Sequence, residues 1–339
     1  MKQTILNDCP ALLKDFLFYM ETIKGRSGKT VEAYYIDIRM FLRYIKIIRT
    51  DINLLKEFDE IKIADVTPDT ICSVKLSDAY EFLNFTLETR KNNPNTRSRK
   101  VSSIKSFYSY ITSKTALLKE NPIKDLEVPR IRKTVPKYLS LEQSINLITH
   151  VDTKFSERDY CIITLFLNCG MRVSELCGIN LSDISYSDKR LKLLGKGNKE
   201  RIIYLNDISI EAITSYLPQR INKRSQPKGD NKNALFLSQN GTRLTSRRIE
   251  QIVKQCLALA GLDGMGFSPH KLRHTAATLM YQHGGVDIRI LQKILGHESL
   301  GTTEIYTHVS DTQMQKASTS SPLSKNSRRM NNTKKNNEN

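Results

Sequence analysis

At 339 residues the chain can bury a sizeable core and fits two domains better than one. Lysine and arginine total 53 against 35 aspartates and glutamates, a net charge of +18 with a pI near 9.6, which points to a polyanionic partner and to nucleic acid first. Hydrophobic residues make up 39%, and no apolar run reaches the length of a membrane-spanning helix, so no such helix and no membrane partner are expected.

The N-terminus, Met1-Lys2-Gln3-Thr4, leads into a helix interrupted by Lys14, Asp15 and Glu21. It lacks the apolar core and small-residue cleavage site of a secretory signal, and a cytoplasmic location is expected. Leu12, Leu13, Phe16, Leu17 and Met20 repeat at three- and four-residue steps, as do Val31, Tyr34, Ile38, Phe41 and Ile45. Further amphipathic runs follow at Leu76–Leu87 and Val101–Ile111. Four helices with polar breaks, with Thr30 and Asn95 as caps or turn residues, predict a small bundle over 1–114. The basic stretch Lys91, Arg97, Arg99 and Lys100 reads as a surface for a phosphate backbone or, almost as well, as a solvated helix N-terminus.

Between 115 and 138, Pro122, Pro129 and Pro136 preclude a continuous helix and mark an extended linker. A second domain over 139–312 opens at Ser140-Leu141-Glu142 with a helix start. A helix around Tyr160–Leu167, the step Cys169-Gly170-Met171 and another helix from Arg172 follow. Leu191–Leu194, the turn Gly195-Lys196-Gly197-Asn198 and Arg201–Leu205 read as a β-hairpin, after which the pattern is helical again to about residue 310. The tail, 313–339, is polar, with six Lys and Arg to two Asp and Glu counted from Asp311, and disorder is its expected free state. The six cysteines form no C-x-x-C pair and read as small buried hydrophobes.

Two motifs near the end of the second domain carry chemistry: His270-Lys271-Leu272-Arg273-His274, and Leu295-Gly296-His297 with Tyr306 nine residues on. Cutting a phosphodiester by direct displacement needs donors for the non-bridging oxygens, a nucleophile, and an acid for the leaving oxygen. Arg172 and Arg273 suit the first task, because a planar guanidinium fork matches phosphate geometry and stays charged. His270 precedes Arg273 by three residues and shares its helix face. Lys196, flanked by glycines at a hairpin tip, suits a mobile general acid, and Tyr306 the nucleophile, given a base and nearby positive charge.

Taken singly, each residue has an ordinary alternative. Tyr306 fits a core aromatic, His297 a helix cap, Lys196 a turn decoration, and Arg172 with Glu175 a structural pair in which Glu175 orients the arginine. His270 and His274 have the spacing of a helical zinc pair, but no nearby carboxylate completes a site. Gly195-Lys196-Gly197 lacks the first glycine and the closing Ser/Thr of a P-loop.

The joint pattern resembles the tyrosine recombinase (phage integrase) family, most closely its Xer-like members, over nearly the whole chain. The resemblance rests on Arg172-Val173-Ser174-Glu175-Leu176, Gly195 to Arg201, His270-Lys271-Leu272-Arg273-His274-Thr275, the spacing of His297 to Tyr306, and Thr30, Ala33, Tyr34 and Asp37 in the first domain. It implies a mainly α fold with a small β-hairpin or sheet. A SAM-like helical DNA-binding bundle and a mixed α/β catalytic domain would form a two-domain DNA clamp. It further implies that Tyr306 forms a 3′-phosphotyrosyl link, that Arg172, Arg273 and His297 stabilise the transition state, and that His270 is the base and Lys196 the acid. No metal, ATP or other cofactor is implied.

The expected partners are double-stranded DNA with paired recombination sites, further copies forming a tetramer on DNA, and a partner recombinase, translocase or directionality factor. Strand exchange would pass through a Holliday junction in chromosome-dimer resolution. The long stretch Arg49–Val74 and the polar tail keep a mobile-element integrase as the nearest alternative. A non-catalytic DNA-binding regulator and a type IB topoisomerase are the remaining rivals.

Overall fold

A computed structural model describes residues 3–50, 58–130, 137–195, 199–221, 226–227, 229–297 and Thr303. The chain divides into two compact units, 1–133 and 134–339, each with its own apolar core.

Helices α1 (Gln3–Asp8), α2 (Ala11–Phe18), α3 (Gly28–Arg49), α4 (Pro68–Cys72), α5 (Leu76–Glu88) and α6 (Pro94–Tyr110) build the first unit, and π-helical turns extend α2 and α6 over Tyr19–Ile23 and Ile111–Thr115. The three- and four-residue repeats are its core: Leu13, Phe16 and Leu17 meet Ile38, Phe41, Leu42 and Ile45, with Phe82, Phe107 and Tyr108 closing the interior. The caps differ from the expected Thr30 and Asn95. Ser27 Oγ accepts from the Thr30 N–H at 3.4 Å, and Asn93 Oδ1 from the Thr96 N–H at 2.9 Å. A cap oxygen needs the N–H three residues on, and Pro94 fits the first helical position, where no N–H is required.

Two stretches read as connections belong to this core. Phe58, Ile61, Ile63 and Val66 are buried ahead of α4. The unit also runs past residue 114: Ile123 and Leu126, placed in the expected linker, are fully buried, and Lys105 Nζ donates to the Lys124 and Leu126 carbonyls at 2.7 and 3.0 Å. The prolines break the helix there without keeping the chain off the core.

The basic stretch around Arg99 and Lys100 is neither a bare phosphate surface nor solvated throughout. Asp37, fully buried on α3, accepts from Arg99 Nη1 at 2.6 Å, Lys100 Nζ at 3.2 Å and Ser103 Oγ at 2.9 Å, tying α3 to α6. Lys100 is buried with it, and burial lowers its pKa while Asp37 opposes the shift.

The second unit wraps around α8 (Ser156–Cys169), whose Cys161, Ile162, Ile163, Leu165 and Phe166 are buried around most of the helix. Against it pack α7 (Leu141–Thr149), α10 (Asp207–Tyr216), α11 (Ser246–Leu259) and α12 (Pro269–Gln282). Ser140 and Gln143 form a reciprocal capping box at the start of α7, with Ser140 Oγ accepting at 3.1 Å and Gln143 Oε1 at 3.0 Å. The short α9 (Val173–Gly178) precedes a three-stranded antiparallel sheet, β1 (Ile184–Ser185), β2 (Arg190–Leu194) and β3 (Glu200–Tyr204). Leu193 faces Arg201 across β2 and β3, and Leu191 and Leu193 point into the core on alternate positions.

The return to continuous helix after the hairpin is not what forms. Between α10 and α11 the described residues make short 3-10 turns and an isolated bridge between Leu237 and Arg243, because Pro218, Gly229 and Gly241 interrupt the helical pattern. Helix α13 (Ile288–Leu295) follows α12. All six cysteines are free, four of them buried.

Candidate active site

The candidate site is built where α8, α9, α12, α13 and β3 approach one another. Helix α8 stops at Gly170, whose φ of +59° is left-handed. A Cβ there would lie 3.0 Å from Leu295 Cδ2 and 3.5 Å from Ala276 Cβ, so a glycine lets α12 and α13 close on this turn. The Gly170 carbonyl accepts from Arg273 Nη1 at 2.8 Å. Two residues on, Arg172 caps α9, and Glu175 accepts both its backbone N–H at 2.7 Å and its Nη1 at 2.8 Å.

Glu175 is the hub. Its carboxylate is 2% exposed and also takes both terminal nitrogens of Arg201, Nη1 in a short contact and Nη2 at 2.9 Å, while Arg273 Nη1 lies 3.9 Å away. Burial alone would raise its pKa, but hydrogen bonds from Arg201 and Arg172 outweigh that and hold it below the usual carboxylate value. One anion thus offsets part of the repulsion among three guanidinium groups. It orients Arg172 and adds Arg201, which the sequence had not marked as a site residue.

The rest of the balance comes from the C-terminus of α13. Three consecutive carbonyls there each accept from a different arginine: Ile294 from Arg201 Nε at 3.1 Å, Leu295 from Arg273 Nη2 at 2.7 Å, and Gly296 from Arg172 Nη2 at 3.0 Å. These carbonyls lack intrahelical donors and form the negative end of the helix dipole, a natural seat for cations. Gly296 adopts φ +65°, and a Cβ on it would meet Arg201 Cδ, Nη1 and Nε at 3.1 to 3.3 Å. The glycine of the Leu-Gly-His motif is required on both counts.

His297 follows at once. Its Nδ1 lies 3.0 Å from Thr303 Oγ1, and its carbonyl accepts from Gln292 Nε2 at 3.1 Å. Burial, then Arg273 and Arg172, push its pKa down to about 4, so it is neutral at pH 7. His270 and His274 share one face of α12 with Arg273; their Nε2 atoms are 2.9 Å apart and their rings meet edge to face at 4.4 Å. That contact requires one nitrogen to donate and the other to accept, so at most one of the two rings is protonated while it holds. Burial and then Arg273 and Arg172 lower His270, and His274 falls to about 4 through burial and then His270. Arg273 is 3% exposed, whereas the Arg172 side chain keeps 35% of its surface.

Of the six residues singled out by sequence, the structure brings Arg172, His270, Arg273 and His297 into one electrostatically coupled cluster. Lys196 and Tyr306 lie outside the described residues; to either side of 196–198, the Gly195 N–H donates to the Lys199 carbonyl at 2.8 Å.

A mainly helical domain thus gathers guanidinium forks and imidazoles around a helix C-terminus, a set of donors suited to holding a phosphate. Residues 137–313 match the model of the Phage integrase family. The chain belongs to that family and is a tyrosine-type site-specific DNA recombinase. It is 48% identical over 315 residues, 93% of this chain and 88% of the relative, to tyrosine recombinase XerC of Caldanaerobacter subterraneus subsp. tengcongensis. To tyrosine recombinase XerC of Myxococcus xanthus it is 36% identical over 314 residues, 90% of this chain and 95% of the relative. Among solved structures, XerH site-specific recombinase bound to palindromic difH substrate, in its post-cleavage complex, shares the fold with a TM-score of 0.67 at 22% identity, covering 93% of this chain and 86% of that one.

Proposed function

We propose that Tyr306 cuts DNA by in-line attack on the scissile phosphate, held by Arg172, Arg273 and His297. The phenol oxygen bonds to phosphorus and the bond to the 5′ oxygen breaks, leaving a 3′-phosphotyrosyl link. The phenol proton passes to His270, which is neutral at pH 7 and able to accept it, and Lys196 protonates the leaving 5′ oxygen. A 5′-hydroxyl from a second DNA attacks the link and reverses the step, so the energy of the broken bond is conserved and neither ATP nor a metal is needed.

The observation that carries this reading is the assembled arginine pair. Arg172 and Arg273 are already locked on adjacent carbonyls of α13, so charge developing on the phosphate meets donors that need no reorganisation. His297 would contribute as a neutral donor through Nε2, in the tautomer whose Nδ1 accepts from Thr303 Oγ1, 3.0 Å away. Glu175 stays outside the chemistry as the anion that orients Arg172.

The substrate is a pair of short DNA sites joined by a tetramer of this chain, alone or with a partner recombinase, through a Holliday junction, in the cytoplasm. The first unit, 1–133, reads the sites and the second cuts them. Chromosome-dimer resolution is favoured over mobile-element integration by 48% identity to a XerC protein across 93% of the chain. The test is a nicked suicide duplex incubated with the protein in EDTA. A covalent protein–DNA adduct that Tyr306→Phe abolishes is expected. No adduct on any XerC-type site, or loss of the adduct on chelation, refutes the mechanism.

A further inference from the structure

Arg201 closes the motif that holds Lys196, yet nothing in the cleavage chemistry uses it. Its side chain is only 13% exposed. All three of its side-chain nitrogens are engaged, Nη1 and Nη2 by Glu175 and Nε by the Ile294 carbonyl. These bonds commit the side chain to Glu175 and the Ile294 carbonyl.

Its partners are distinctive. Glu175 is the same carboxylate that holds Arg172, and the Ile294 carbonyl is the first of the three that seat Arg201, Arg273 and Arg172 in turn. Arg201 stands on β3, five residues after Lys196, and its chain passes within van der Waals reach of a Cβ at Gly296, next to His297. One side chain thus links β3, the carboxylate that anchors Arg172, and the segment bearing His297.

We propose that Arg201 is a positioning residue for strand cleavage, a strut that registers β3 against Arg172 and His297 through Glu175 and the Ile294 carbonyl. The proposal rests on the cleavage mechanism given above. A lysine cannot replace it: an ammonium lacks the planar fork that grips both carboxylate oxygens while a third N–H reaches a carbonyl. Misplacing catalytic groups by about an ångström slows chemistry by about 100-fold without weakening binding to match.

The test compares wild type, Arg201→Lys and Arg201→Ala on one suicide duplex. It measures DNA affinity, the single-turnover adduct rate at saturating DNA, and thermal unfolding. Both variants are expected to bind DNA within about threefold of wild type and to cut about 100-fold more slowly. Methylguanidinium is expected to restore cleavage to Arg201→Ala, while methylammonium at equal ionic strength does not. A purely structural arginine shows no such rescue. If Arg201→Ala fails to fold, Arg201→Lys alone decides through its affinity and rate. Arg201→Lys cutting at the wild-type rate, or slowed only as far as its DNA binding weakens, overturns the proposal. A wild-type protein that forms no adduct instead overturns the cleavage mechanism beneath it, so the two failures are distinguishable.

Discussion

Replacing Glu175 by glutamine tests whether the arginine cluster is held by its buried anion. Four donors converge on the carboxylate: the Arg172 N–H, Arg172 Nη1, and both terminal nitrogens of Arg201. Glutamine keeps one acceptor oxygen and turns an NH2 towards the remaining donors, so at least two of the four bonds are lost. At ~1.5–3 kcal/mol for each bond to a charged group the simple sum is ~3–6 kcal/mol. The bonds share one network and do not add fully, so ~3–5 kcal/mol, the usual cost of stranding one side of a buried ion pair, is the expected loss. Set against a domain stability of ~5–15 kcal/mol, that leaves a folded but weakened second unit. The chain has no tryptophan, so unfolding in urea is followed by far-ultraviolet circular dichroism, with hydrogen exchange assigning the loss to α9 and β3. With a slope of ~2–3 kcal/mol per molar, the midpoint should fall by ~1–2.5 M. A midpoint within ~0.3 M of wild type, with exchange in α9 unchanged, would refute a central role for the anion.

Other perturbations have equally definite outcomes. Gly296→Ala meets both a left-handed backbone and the Arg201 side chain, and should cost ~1–3 kcal/mol in urea unfolding while slowing cleavage; an alanine variant as stable and active as wild type contradicts the close approach. In the first unit, Asp37→Ala strands buried Lys100 and should cost ~3–5 kcal/mol, with Lys100→Met in the same chain recovering part of the loss; equal stability of single and double variants would remove the network's role. Stability should also depend on acid. The unfolded imidazoles take up protons near pH 6.5, whereas folded His274 and His297 do so only near 4. Their contribution is therefore complete above about pH 6.5 and lost as the pH falls towards 4, and melting curves across that window should show a decline that substituting both histidines reduces. An equal decline in the doubly substituted protein would contradict it.

The sequence was legible where a local pattern decides the structure. Leucine and aromatic repeats marked α2, α3, α5 and α6, a glycine-rich stretch marked β2 and β3, and Ser140-Leu141-Glu142 marked the start of α7. Arg172, His270, Arg273 and His297 were identified through motif wording. What was missed depends on contacts between distant residues. Ile123 and Leu126 lie among prolines and look like linker, yet the bundle has an apolar face for them to cover. Arg99 and Lys100 look like a solvent or phosphate surface until Asp37, more than 60 positions earlier, is placed against them. Arg201 carries no local signal beyond its place in a motif, because its role appears only when Glu175 and the end of α13 are brought beside it. The same applies to the carbonyl seat: nothing in Ile294-Leu295-Gly296 announces three acceptors for three arginines.

The central claim is that one tyrosine takes the phosphate, and mapping the covalent link tests it most directly. The adduct trapped on a suicide duplex is trimmed with nuclease, digested with protease and sequenced by mass spectrometry, while the released strand is labelled with polynucleotide kinase. A nucleotide joined through its 3′ phosphate to Tyr306, with a released 5′-hydroxyl that accepts label directly, is the predicted result. A link at any other residue, or a released 3′-hydroxyl with the phosphate retained on the 5′ side, would contradict the account.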